Sequence, residues 1–116
     1  MKKVIVMGLA ALWIGAAGAE QLHGVEVYAG AKPEPSTNQF LKEGLKMNGQ
    51  AFVTGDSVEK VAAFYAKQGL KQMPGADAKQ AGFTGKGVHV TIQNPWLDVK
   101  TSKVNNTTLV SIVKQK

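Results

Sequence analysis

The sequence predicts a single α+β domain that follows a cleavable signal peptide. Two helical segments each begin with a capping box, and the segments after the second helix alternate with the period of a β-strand. Because the strands finish in a run after the helices, we expect a mostly antiparallel sheet. The predicted sheet has about five strands with two helices on one face, in the order β-α-β-α-β-β-β.

The first 19 residues have the three zones of a secretory signal peptide. Lys2 and Lys3 are followed by an apolar run over 4–17, and small residues lead up to Ala19. Since the run is shorter than the roughly 20 residues of a membrane-spanning helix, we expect cleavage between Ala19 and Glu20. The chain has no cysteine, which excludes a lipid anchor attached through cysteine at that point.

The predicted product is a soluble periplasmic or secreted domain over 20–116, with no membrane span after processing. All basic residues are lysines, and loss of Lys2 and Lys3 lowers the net charge from +6 to +4. Arginine is the preferred side chain for bidentate contacts to phosphates and base edges. We therefore expect no nucleic acid as a partner, and instead an envelope protein or an anionic envelope component.

The first half of the domain alternates strand and helix. Residues 25–28 have the alternation of a half-buried strand. Ser36 and Gln39 form a capping box, which predicts a helix over about 37–46. Residues 50–54 then predict a second, short strand.

The second helix is the most strongly patterned element. Asp56 and Glu59 form its predicted capping box, and apolar residues then recur at spacings of three and four as far as Tyr65. Gly69 suits the left-handed conformation at a helix C-terminus. The helix is therefore predicted to end near Gly69.

Three strands are predicted in the last part of the chain. Segments 81–84 and 87–93 flank a short turn and predict a hairpin. Every second residue from Val88 is apolar, which places these residues on the face that meets the helices and His89 on the other. Segment 108–113 has apolar residues on both faces, which is typical of a strand in the interior of a sheet.

Three motifs of the mature chain indicate a relationship to other proteins. They are Gly24-Val25-Glu26-Val27-Tyr28 leading into Gly30-Ala31-Lys32, then Asp56-Ser57-Val58-Glu59-Lys60-Val61 with Phe64-Tyr65, and finally Val90-Thr91-Ile92-Gln93-Asn94-Pro95-Trp96. With these motifs the chain resembles a group of small, uncharacterised exported bacterial proteins. Members of the group usually have proline at the position of Ala29, so the resemblance implies a less rigid first turn here. The resemblance implies an architecture and no activity.

Patterns typical of catalysis do not occur in the sequence. It contains neither a Gly-x-Ser-x-Gly nor a His-Glu-x-x-His motif, and its glycine-rich stretch precedes a strand instead of opening a helix. Asp56 and Glu59 are accounted for as helix caps. A small envelope hydrolase or ligand carrier remains the alternative, with a site built from loops by His89, Asp77 or Asp98.

The sequence predicts no metal and no cofactor. His23 is fourth after the expected cleavage, one position beyond that of an amino-terminal copper site. His89 has no second ligand at the fixed spacing that histidine sites require. Met47 and Met73 are predicted to fill gaps in the core.

Segment 94–106 is the predicted contact surface. Trp96 and Leu97 are its candidate apolar contacts, and Lys100 and Lys103 supply charge at the rim. The alternative is that the indole of Trp96 closes the edge of the core. We therefore expect a non-catalytic binding or accessory module.

Overall fold

The computed structural model of the protein describes residues 20–115. The predicted signal peptide lies outside the described residues. The helices are α1 (Pro35–Gln39), which continues as a π-helical segment (Phe40–Gly44), and α2 (Val58–Ala66). The strands are β1 (Gln21–Leu22), β2 (Val25–Glu26), β3 (Lys32–Pro33), β4 (Gly49–Thr54), β5 (Lys71–Gln72), β6 (Gln80–Gly85), β7 (Val88–Gln93), β8 (Trp96–Leu97), β9 (Val104–Asn105) and β10 (Thr108–Lys114).

The main sheet is antiparallel and has six strands in the order β3-β4-β10-β7-β6-β5. This confirms the predicted α+β class and the mostly antiparallel sheet. The central strand is β10, which pairs with β4 on one side and β7 on the other. The expectation that segment 108–113 lies inside the sheet is confirmed, and so is the β6–β7 hairpin.

The strand count and order differ from the prediction because several strands are only two residues long. Strands β3 and β5 extend the two edges of the sheet. The first predicted strand pairs with β1 in a separate hairpin instead of joining the sheet. His23 and Gly24 form the turn of this hairpin with φ values of 56° and 90°, the positive φ at both turn positions that a tight hairpin requires.

We call the face of the sheet that carries Phe52 and Val90 the first face. It is covered by α2, whose Val58, Val61 and Tyr65 are buried against it, and by Val25 and Val27 of the N-terminal segment. The expected inward face of β7 is thereby confirmed. Its members Val88, Val90 and Ile92 are fully buried.

The opposite, second face is covered in part by the chain of α1 and its π-helical continuation. Leu41 packs there with Ala51, Trp96 and Leu109. Ala51 and Phe52 are neighbours on β4, and successive strand residues point to opposite faces. The two helices therefore lie on opposite faces of the sheet, which corrects the expectation of both helices on one face.

Both helix N-termini begin at residues other than the predicted caps. Glu34 caps α1, with its Oε2 accepting from the Thr37 amide at 2.6 Å and Pro35 in the first turn. Ser57 caps α2, with its hydroxyl accepting from the Lys60 amide at 3.2 Å. The predicted capping boxes at Ser36 and Asp56 are thus wrong by one or two residues. Gly69 follows α2 with a φ of 78°, as predicted.

Candidate functional site

The second face of the sheet contains an open groove of about 950 Å³. It forms because α1 and its continuation cover the second face over β4 and part of β10, and leave it open over β7. The groove is lined by Leu41, Lys46, Met47, Asn48, His89, Thr91, Ser111, Val113, Lys114 and Gln115. We call this the sheet groove.

The floor of the sheet groove is set by the register between β7 and β10. Thr91 lies opposite Ser111, and His89 lies opposite Val113. Directly opposed residues of an antiparallel pair share a face, so three polar side chains and one valine form a continuous floor. The exposed side of β7 that sequence alternation predicts is this floor.

The wall of the sheet groove is formed by Leu41, which is buried, and by the turn after the π-helical segment. Lys46 adopts a positive φ of 54°. The chain then turns so that the backbone carbonyl oxygen of Asn48 accepts from the amide of Lys114 at 2.8 Å. This bond joins the turn to the end of β10. Met47 is 44% exposed beside the groove, and its unbranched side chain can adapt to ligands of different shape.

A second hollow of about 230 Å³ adjoins the sheet groove. His89 and Thr91 line both hollows, and the far side of the second is formed by the turn at 73–76. Met73 packs over β6, with its sulfur 3.6 Å from where a side chain on Gly82 would begin. Met47 and Met73 are both exposed large hydrophobic residues, so their prediction as core fillers is wrong.

Charge is distributed unevenly around the sheet groove. Lys46 and Lys114 line it, and none of its ten lining residues is acidic. The candidate catalytic carboxylates are used elsewhere. Asp77 accepts from the amides of Lys79 and Gln80 at 2.8 and 3.0 Å.

The predicted contact segment forms a small hairpin in which β8 pairs with β9. Trp96 is buried at 6% exposure, and its indole Nε1 donates to the Thr107 hydroxyl at 2.9 Å. The indole thus closes the edge of the core, the alternative that the sequence left open. Leu97, Lys100 and Lys103 are exposed, and their binding role stays a prediction.

Asp98 organises the turn of this hairpin. Its Oδ1 accepts from the amides of Lys100 and Thr101 at 2.8 and 3.2 Å. Its own amide donates to the carbonyl of Lys103 at 2.9 Å. Asp98 therefore has a structural role within the turn, and it does not line the sheet groove with His89.

A polar network joins the N-terminal segment to the sheet. Tyr28 donates from its hydroxyl to a carboxylate oxygen of Asp56 at 2.5 Å. Thr108 donates to the carbonyl oxygen of Asp56 at 2.5 Å and accepts from the side-chain amide of Asn94 at 3.1 Å. The network uses Asp56 to hold together the start of α2, the start of β10 and the end of β7.

Comparison with protein-family models, with curated proteins and with solved structures finds no match to this chain. Within residues 20–115, no helix has the length and apolar character needed to cross a membrane. The same residues contain no group of three or more histidine, aspartate or glutamate side chains placed to hold a metal ion.

Sequence reasoning placed His89 on the exposed face of its strand but missed its partners in the groove. Lys46, Met47 and Lys114 come from two segments far apart in the chain. Nothing in their local sequence distinguishes them from ordinary surface residues. Of the groove residues on this side, Leu41 could have been predicted, because it lies in a predicted helix that must pack on one face of the sheet.

Proposed function

We propose that this protein is a non-catalytic binding module that holds a small organic anion with an aliphatic portion in the sheet groove. The observation that supports this most directly is the composition of the groove. Leu41, Met47 and Val113 offer apolar surface, while Lys46 and Lys114 are its only charged lining residues. A ligand with one aliphatic part and one negative group complements both features.

The size of the groove fits a small molecule. Binding sites for small ligands have volumes of roughly 300–1,000 Å³, and the sheet groove has about 950 Å³. Its floor is a paired β-sheet, so the floor residues are held in place before a ligand arrives. A site formed in advance loses less free energy to ordering when the ligand binds.

The polar floor can orient the ligand. The hydroxyl groups of Thr91 and Ser111 can each donate one hydrogen bond, and each lysine can donate three. A carboxylate or similar group placed near the lysines leaves the aliphatic part to contact Met47 and Leu41. This arrangement favours an anionic amphiphile over a sugar or a cation.

A hydrolase in the same groove has less support. Catalysis by Ser111 needs a general base within hydrogen-bond reach and a group that orients this base. Among residues 20–115, the side chain of His89 makes no hydrogen bond to Ser111 or to a carboxylate in the structure. The carboxylates of Asp77 and Asp98 both accept hydrogen bonds from backbone amides of their own turns.

We propose further that the module works in the periplasm or outside the cell, after removal of residues 1–19. The basic start and apolar run of the sequence support this location. The mass of the protein recovered from its own compartment should correspond to a chain that starts at Glu20. A full-length chain retained in the membrane would contradict the proposed processing.

Calorimetric titration with decanoate tests the proposed ligand class, with decanol as an uncharged ligand of equal length. We expect decanoate to bind more tightly than decanol. Lys46→Gln combined with Lys114→Gln should weaken decanoate binding about two- to thirtyfold, because exposed ion pairs contribute about 0.2–1 kcal/mol each. Binding of decanol should change little.

Further variants distinguish the groove from the rest of the surface. Thr91→Trp fills the floor and should abolish binding, whereas Thr101→Trp, on the exposed hairpin turn, should not. Lys60→Gln combined with Lys67→Gln removes the same charge from α2 and its C-cap and serves as the matched control. An equal loss of decanoate binding in the two lysine pairs would contradict a specific site. If the protein hydrolysed an ester, and His89→Ala and Ser111→Ala abolished this activity, the result would favour the hydrolase.

A further inference from the structure

The β8–β9 hairpin has one buried side and one exposed side. Trp96 points into the protein, where it packs with Leu41, Ala51 and Leu109. Because strand residues alternate, its neighbour Leu97 points outward. Leu97 lies directly opposite Val104, so the two aliphatic side chains share the exposed side of the hairpin.

Three aliphatic side chains of this hairpin are exposed. Leu97 is 55%, Val104 64% and Val99 43% exposed. The exposed residues Lys100 and Lys103 lie in the connecting turn between the two strands. We call these five residues, Leu97, Val99, Lys100, Lys103 and Val104, the hairpin patch.

The hairpin patch is held in a defined shape. The carboxylate of Asp98 accepts two backbone amides of the turn, and the Ser102 amide donates to the Asp98 carbonyl at 2.8 Å. At its base the hairpin is fixed by the buried indole of Trp96 and its bond to Thr107. Asp98 is the one acidic residue between 94 and 107, and its carboxylate is bonded within the turn. Lys100 and Lys103 therefore give the patch its positive charge.

We propose that the hairpin patch docks the protein onto the surface of an anionic lipid bilayer. Aliphatic side chains enter the boundary between head groups and acyl chains, and nearby lysines are attracted to the negative surface. The hairpin patch presents both kinds of side chain together. The net positive charge of the chain as a whole acts in the same direction.

A bilayer fits this surface better than other occupants. A stable protein interface takes about 20–30 residues on each side, and the hairpin patch has five. None of the five lines the sheet groove or the hollow beside it, so the hairpin patch is a surface separate from both. A bilayer needs only a few inserted aliphatic side chains and local positive charge.

Flotation with lipid vesicles tests this docking. Vesicles of phosphatidylcholine with phosphatidylglycerol are compared with vesicles of phosphatidylcholine alone. The sample is the chain from Glu20, because residues 1–19 contain an apolar run that would itself favour lipid. A cooperative thermal transition first establishes that this chain is folded. We expect binding to the anionic vesicles, weaker at high salt because surface charge is screened.

Two pairs of substitutions assign the binding to the hairpin patch. Leu97→Ser with Val104→Ser should weaken vesicle binding about tenfold or more. Lys100→Gln with Lys103→Gln should do so as well, since each lysine near an anionic surface strengthens binding about fivefold. Lys60→Gln with Lys67→Gln removes the same charge from α2 and its C-cap, and this variant should retain most of the binding. All four positions of the first two pairs are exposed, so the fold should tolerate these changes.

The outcome is independent of the sheet groove. Thr91→Trp, which fills the groove, should leave vesicle binding unchanged. Docking through the hairpin patch is overturned if the anionic vesicles do not bind the chain, or if both hairpin pairs bind them as tightly as the parent. Equal loss in the Lys60 and Lys67 control would also overturn it, because binding would then follow net charge alone.

Discussion

Tyr28 and Asp56 are joined by a hydrogen bond of 2.5 Å from the phenol to the carboxylate, across 28 positions of the chain. Tyr28 also packs edge-on against Phe64 of α2, with ring centroids 5.2 Å apart. Its amide donates to the hydroxyl of Tyr65 at 3.1 Å. Tyr28 therefore joins the N-terminal segment to both the start and the last turn of α2.

Both tyrosines of the chain should titrate late in the folded protein. The hydrogen bond to Asp56, then burial and the negative charge of Asp56, raise the pKa of Tyr28 to about 12. Burial raises the pKa of Tyr65 as well. Phenolate absorbance should therefore appear only well above pH 10, the ordinary pKa of tyrosine, whereas the chain in denaturant should titrate near that value. Titration of both groups near pH 10 in the folded protein would contradict the structure.

The same shift makes the fold less stable at alkaline pH. Between about pH 10 and 12 the unfolded chain gives up the Tyr28 proton more readily than the folded chain. The free energy of unfolding should fall as the pH rises through this range. Tyr28→Phe should remove part of this fall, and Asp56→Asn should lower the pKa of Tyr28. Urea unfolding across this range measures both effects.

Thr108 should tolerate serine but not valine. Its hydroxyl is fully buried, donates to the Asp56 carbonyl and accepts from Asn94. Thr108→Val leaves both partners without this hydroxyl, at a cost of about 1–3 kcal/mol in the free energy of unfolding for each buried group left unpaired. Thr108→Ser keeps the hydroxyl and should cost clearly less. Equal losses for the two variants would show that the network contributes nothing beyond packing.

Trp96 should behave as a core residue in solution. With Trp13→Phe, Trp96 is the only tryptophan of the chain, and its emission should be blue-shifted and protected from a neutral quencher. Trp96→Ala should lower the free energy of unfolding by about 3–5 kcal/mol. Leu97→Ala, on the exposed side of the same hairpin, is the control and should change it by about 0.5 kcal/mol or less. Red-shifted, quencher-accessible emission would instead favour a contact role for the indole.

Gly49 and Gly55 should respond in opposite ways to alanine. A methyl group on Gly49 would begin 2.5 Å from the Ile112 carbonyl oxygen and 2.8 Å from the Cα of Val113. Because both neighbours belong to the central strand, Gly49→Ala should cost about 1–3 kcal/mol. A methyl group on Gly55 would have no atom within 4 Å outside Gly55 and its two chain neighbours, so Gly55→Ala should be neutral or slightly stabilising. Thermal or urea unfolding of the two variants, side by side, tests the pairing of β4 with β10.

Local periodicity in the sequence determined the elements that lie within one segment. The alternation from Val88 to Gln93 predicted both the strand and its buried face, and the spacing from Val58 to Tyr65 predicted α2 and the side it buries. Helix starts were predicted less well, because Glu34 and Ser57 cap the helices in place of the expected residues. Several side chains near each start could accept the same amides, and tertiary contacts choose among them. Asp56, for example, is held by Tyr28.

Contacts between distant segments set which faces of the sheet are covered and where the two candidate surfaces lie. The pattern around Ala51 and Phe52 shows that both faces of β4 are apolar, but it cannot tell which helix covers which face, since that depends on long-range strand pairing. The sheet groove exists because the register sets Ser111 beside Thr91 while Leu41 packs further along the same face. Likewise, the sequence predicted Trp96 and Leu97 as apolar contacts of the same surface. Pairing of β8 with β9 buried the first and exposed the second.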